Sequence, residues 1–111
     1  MAFVGEVHPR VRELIEATRA ALFKGIAQAR AGNKFASVGE AIQAYAHEHG
    51  FYVCPICTGH GIGRELHMPP YVYNWVNTEN REMEPGMTFT IEPILMNRLV
   101  ELQSQIEVWR D

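Results

Sequence analysis

Among the side chains of types that hold a divalent cation, three stand in settings that could bring them together: His60, Glu92 and Glu107. His60 lies in the run TGHGIGRELH, between Gly59 and Gly61, with His67 seven positions further on. Glycine serves where the backbone takes unusual angles or must come close to another group. A histidine set between two glycines can therefore face a metal or a substrate, although a single histidine is more often a satisfied polar group. Glu92 ends the alternating run MTFTIE, with Met87, Phe89 and Ile91 on one face and Thr88, Thr90 and Glu92 on the other. Glu107 lies in a second alternating run, from about position 99 to 109. There Val100, Leu102, Ile106 and Val108 face one way, and Glu101, Gln103, Gln105 and Glu107 the other. Each glutamate alone reads as an exposed strand-end carboxylate. Paired as a hairpin, the two runs would bring both carboxylates to one face. Like charges placed opposite each other destabilise a sheet, unless a cation lies between them or one carboxyl is protonated. One imidazole with carboxylates suits Mn, Fe, Co or Zn better than Ca, which prefers oxygen alone. Such an ion activates water and polarises a carbonyl.

The two cysteines, Cys54 and Cys57, form C-P-I-C. This spacing fits a redox pair or half of a zinc site, and two cysteines are too few for a secreted disulfide framework. A glutaredoxin-like pair places its reactive thiolate at a helix N-terminus, but TGHG is a poor helix start. With His60 the pair offers three zinc ligands and no evident fourth. Haem attachment by C-x-x-C-H fails because position 58 is threonine. Two ordinary half-buried thiols is the simplest reading.

The elements that must position these groups begin with a helix at Pro9. Val11, Leu14, Ile15, Thr18, Leu22 and Ile26 recur at helical spacing, and proline suits a first turn. Ala31, Gly32 and Asn33 end it. Ser37 and Glu40 read as a capping box for a second helix, carried on by Ile42, Tyr45, Ala46 and His49 and closed by Gly50. A short strand over 51–54 follows. The glycine-rich stretch, a proline-rich loop around Met68, Pro69 and Pro70, a turn at Glu84, Pro85 and Gly86, and the two alternating runs complete the chain. Two helices followed by short, mostly antiparallel strands make an α+β domain.

The totals agree with one domain over residues 1–111. At 47% hydrophobic and 21% charged, the composition is that of an ordinary globular protein. A net charge of −3 gives no sign of a nucleic-acid partner. No apolar run has the length of a membrane span, and MAFVGEVHPR lacks the plan of a secretory signal. A cytoplasmic location is the expectation.

GHGIGRELHMPP resembles the G-H-G-I-G-x-x-x-H-x-x-P segment of type I methionine aminopeptidases, and PGMTFTIEP is similar to their P-G-M-x-F-T-I-E-P segment. Both occur in the family's order, and the resemblance covers almost the whole chain. It implies the C-terminal half of the two-part pita-bread fold. It also implies removal of N-terminal methionine from peptides or nascent chains by metal-activated water. His60, Glu92 and Glu107 then correspond to metal ligands, with up to two divalent ions. Glu92 helps manage the water's proton, and His67 contacts the scissile carbonyl. Leu66 stands where the family has an aromatic residue lining the methionine pocket.

Against that pattern, two aspartate ligands from the family's first half have no counterpart, since the sole aspartate is Asp111. The segment between Glu92 and Glu107 is shorter than the family's, and Val108 replaces a histidine. Three of five metal ligands are thus expected, with weak metal binding for a lone chain. Either two copies, or this chain and a complementing half, complete the site, or the chain is a non-catalytic or truncated half-domain that keeps the fold and some metal or peptide binding.

Overall fold

The structure, a computed structural model, describes residues 1–97. The second alternating run and Glu107 lie outside the described residues.

Helix α1 spans Pro9–Ile26. Pro9 sits in its first turn, and the His8 side chain accepts a hydrogen bond from the Arg10 amide at 3.1 Å. Lys24 in the last turn complements the helix dipole. The side of α1 that is buried differs from the one expected. Ala17, Ala21 and Gly25 line it at four-residue intervals. Val11 and Ile26 are 43% and 44% exposed. Close approach to the second helix explains this: a Cβ on Gly25 would stand 2.8 Å from Ile42 Cδ1. Only small residues fit along that line, so the larger apolar side chains flank it, and of these Leu14 packs against the core.

Helix α2 spans Ala36–Glu48. It starts one residue before Ser37, so the expected capping box does not form, and no side chain caps its first turn. Phe35 sets the start instead. It is almost wholly buried and meets Phe89 edge to face, with ring centroids 5.0 Å apart. Burying that ring fixes the entry of the chain more firmly than a hydroxyl cap would. At the other end Gly50, at φ +77°, closes the helix as expected.

The strands are short. Strand β1 (Tyr52–Val53) pairs antiparallel with β4 (Leu95–Met96), and β2 (Gly59–Gly61) with β3 (Met68–Val72). The expected strand at 51–54 thus shrinks to two residues, although the Cys54 amide still bonds the Ile94 carbonyl at 2.8 Å. The expected loop around Met68 is strand β3. Among the described residues the β2–β3 ladder has two strands, so β3 is an edge and tolerates its prolines. The run 87–92 is extended and, among the described residues, joins the ladder through a bridge from Phe89 to Gly61. Its alternation holds: Met87, Phe89 and Ile91 pack on the core, while Thr88 and Glu92 face outward. The core joins Ala17, Ala21, Phe35, Val38, Ile42, Ala46, Phe51, Val53, Val72, Met83 and Leu95. The two helices and the antiparallel pairs make the α+β arrangement anticipated above.

Substitution separates the two accounts of how α2 begins. Phe35→Ala should cost about 3–5 kcal/mol, whereas Ser37→Ala should change stability by less than about 0.5 kcal/mol. Urea denaturation of both variants measures the contrast.

Candidate metal site

The site is built from main chain first. Gly59 lies against Thr90 so tightly that a Cβ there would strike the Thr90 carbonyl oxygen, and a Cβ on Gly61 would strike that of Pro69. Close approach, not a left-handed backbone, explains both glycines, for neither has a positive φ. The three segments are laced by hydrogen bonds. The Thr90 amide donates to the His60 carbonyl at 2.8 Å, and the Ile62 amide to that of Thr88 at 3.1 Å. His60 is thereby held between β3 and the extended run that carries Glu92.

The imidazole of His60 is buried, and its two nitrogens have different partners. Nδ1 lies 3.0 Å from the Gly61 carbonyl oxygen. A carbonyl only accepts, so this contact assigns a proton to Nδ1. Nε2 lies 3.0 Å from Glu92 Oε1. A bare nitrogen lone pair and a carboxylate oxygen repel at that distance. The contact is favourable when a proton or a cation lies between the two atoms.

Thr90 fixes both partners. Its hydroxyl donates to Glu92 Oε1 at 2.7 Å and accepts from the His60 amide at 3.1 Å. The sequence reading passed over Thr90; its place two residues before Glu92 on the same polar face was the available signal. Asn74, fully buried, was also missed. Its side-chain amide donates to the carbonyls of Cys57 at 3.0 Å and Glu92 at 3.3 Å. That ties the turn before β2 to the carboxylate segment.

His67 ends the bend between β2 and β3, and its ring meets that of His60 edge to face at 4.3 Å between centroids. Leu66 beside it is 64% exposed. Of the sequence-predicted groups, His60, Glu92 and His67 thus come together, with Leu66 on the rim. Glu107 falls outside the described residues. Among the described residues no set of three His, Cys, Asp or Glu side chains converges as a metal cluster, so the zinc reading of Cys54, Cys57 and His60 fails. The glutaredoxin-like reading fails as well, because a turn and β2, not a helix, follow the cysteines. Cys54 is buried and Cys57 half-buried. Burial first, then the neighbouring Cys54 and the Glu92 carboxylate, push the Cys57 thiol up, the opposite of a thiolate activated for catalysis.

Comparison with known proteins agrees with this architecture. Residues 1–108 match the model of metallopeptidase family M24. The chain is 38% identical to human mitochondrial methionine aminopeptidase 1D, over 96% of its own length and 32% of that protein's. It is 37% identical to methionine aminopeptidase B of Synechocystis, over 96% of its length and 39% of the relative's. The crystal structure of methionine aminopeptidase from Rickettsia prowazekii superposes with a TM-score of 0.82 at 38% identity, covering 86% of this chain and 39% of that one. The chain therefore spans about a third of the length of the curated relatives it matches. Glycines that admit only main chain, an imidazole facing a carboxylate and the half pita-bread layout all lead to one assignment: this chain belongs to metallopeptidase family M24 and is similar to part of the type I methionine aminopeptidases.

Proposed function

We propose that residues 1–111 form one unit that supplies part of the active site of a metal-dependent aminopeptidase, which removes N-terminal methionine from peptides. The observation that carries this reading is the 3.0 Å approach of His60 Nε2 to Glu92 Oε1, fixed from outside by Thr90. The donor set fits a divalent cation of the Mn, Fe, Co or Zn class, since an imidazole nitrogen and a carboxylate oxygen point at one place. Their separation is one that two donors of a single ion can share. Glu107 would be the third ligand, with room in the set for a second ion. When bound, the metal activates water and polarises the peptide carbonyl.

This chain's own groups do the rest. Gly61 holds the Nδ1 proton of His60, so Nε2 keeps its lone pair for the ion, a standard arrangement for a ligating histidine. Glu92 is half exposed and can exchange a proton with the attacking water. His67 hydrogen-bonds the scissile carbonyl, and Leu66 lends apolar surface to the methionine side chain. The remaining ligands would come from a complementing half that carries the two aspartates, or from Glu92 and Glu107 of a second copy of the chain. Exposed Leu66, Tyr71 and Ile94, beside or on the site segments, give such a partner apolar surface to cover.

A second reading, a non-catalytic half-domain that keeps the fold and some metal or peptide binding, is favoured by one observation: two ligands, not three, converge among the described residues. Incubation with Mn or Co and a Met-Ala-Ser peptide separates the two. Methionine release that His60→Ala and Glu92→Ala both abolish supports the peptidase, and absence of release at every protein concentration supports the non-catalytic reading. Sedimentation should find a dimer at micromolar concentration; a stable monomer there removes self-complementation. Thr90→Val should weaken metal binding about 10- to 100-fold by calorimetry, as loss of a hydrogen bond to a ligand does, while Thr90→Ser should retain most of it.

A further inference from the structure

We propose that Cys54 and Cys57 form a reversible dithiol–disulfide couple, an oxidisable site built into the turn that leads to β2. Pro55 and Ile56 are the central residues of that turn, so the two cysteines stand at its ends. The ends of a β-turn have Cα atoms within about 7 Å, and a disulfide takes a Cα separation of about 4.4–6.8 Å. Cys54 is among the groups close enough to act on the Cys57 thiol, so the two side chains are neighbours.

The frame around the turn holds it in place. On one side the Cys54 amide bonds the Ile94 carbonyl at 2.8 Å. On the other the buried Asn74 amide grips the Cys57 carbonyl at 3.0 Å. Two anchored ends keep the sulfurs at high effective concentration, which favours closure over capture of a second external thiol. Exposure sets the order of events. Cys57 is partly open and sits beside Ile56, which is 58% exposed, whereas Cys54 is buried.

The oxidant is a small disulfide of the glutathione class. Burial keeps the Cys57 thiol mostly protonated, so the step is slow and quickens with rising pH: the small thiolate fraction, its proton released to water, attacks one sulfur of that disulfide. The external S–S bond breaks, one thiolate leaves, and a mixed disulfide forms on Cys57. Cys54 then loses its proton and attacks the Cys57 sulfur, expelling the second thiolate. Two cysteines are oxidised, and the external disulfide is reduced to two thiols that take up the two protons. The site needs no metal and is independent of the proposed peptidase activity.

The test treats the full chain with glutathione disulfide and reads intact mass and alkylation under denaturing conditions. The expected product has lost two hydrogens, carries no glutathione and has no alkylatable cysteine; dithiothreitol restores both thiols. Cys54→Ala should stop at a stable glutathione adduct on Cys57. Cys57→Ser should stay unmodified while folded and accept glutathione only after denaturation. Circular dichroism of each variant checks that it folds. Wild-type protein that keeps two free thiols, accumulates a glutathione adduct or links two chains overturns the proposal.

Discussion

Three stretches of main chain lie closer together here than any side chain would permit, and the site depends on that contact. Gly59 admits the carbonyl of Thr90, and Gly61 admits that of Pro69. Amide hydrogen bonds between Thr90 and His60, and between Ile62 and Thr88, then tie the stretches together. An added methyl group at either glycine would force backbone, not a flexible side-chain tip, to move. Dense packing transmits such strain because interiors have few voids to absorb it. His60 owes its orientation to this arrangement and needs no large residue around it.

The pairing of His60 with Glu92 follows from the same contact. A buried imidazole and a half-exposed carboxylate meet at 3.0 Å, one end of the ring committed to Gly61 and the other to Glu92. As a simple ion pair near solvent this interaction is worth little. Its energetic meaning lies in competition: a proton and a metal ion seek the same lone pair, so acid opposes metal binding at such sites. Thr90 favours neither, because its hydroxyl holds the carboxylate in either case.

Much of this was legible in the residues themselves. The alternation over 87–92 placed Met87, Phe89 and Ile91 on the core and Glu92 outside it, and that survives although the segment pairs by a single bridge among the described residues. Gly59 and Gly61 signalled close approach. Two other readings failed for a common reason, namely that long-range packing overrode a local rule. Ser37 and Glu40 match a capping box, yet burial of Phe35 against Phe89 starts the helix earlier. Large residues at helical spacing marked a face of α1, yet the neighbour α2 admits only Ala17, Ala21 and Gly25. Proline at 69 and 70 argued for a loop, which holds in wide sheets and not in a two-stranded ladder. Asn74 escaped notice because its partners lie 17 and 18 positions away, and local patterns carry no such information; Thr90 had a local sign in Glu92 two residues on, but its bond to His60 spans 30 positions.

The fully buried Asn74 has a bearing on how the parts of this molecule can be borrowed. Its one amide group clasps the carbonyls of Cys57 and Glu92, which belong to segments distant in sequence. An engineer who grafted His60 and Glu92 alone onto a foreign scaffold would carry over the two donors and lose the clasp that keeps their segments aligned. The transferable module is therefore the set of interlocked backbones with Asn74 as its rivet, and a scaffold lacking an equivalent rivet would hold the same side chains in the wrong places.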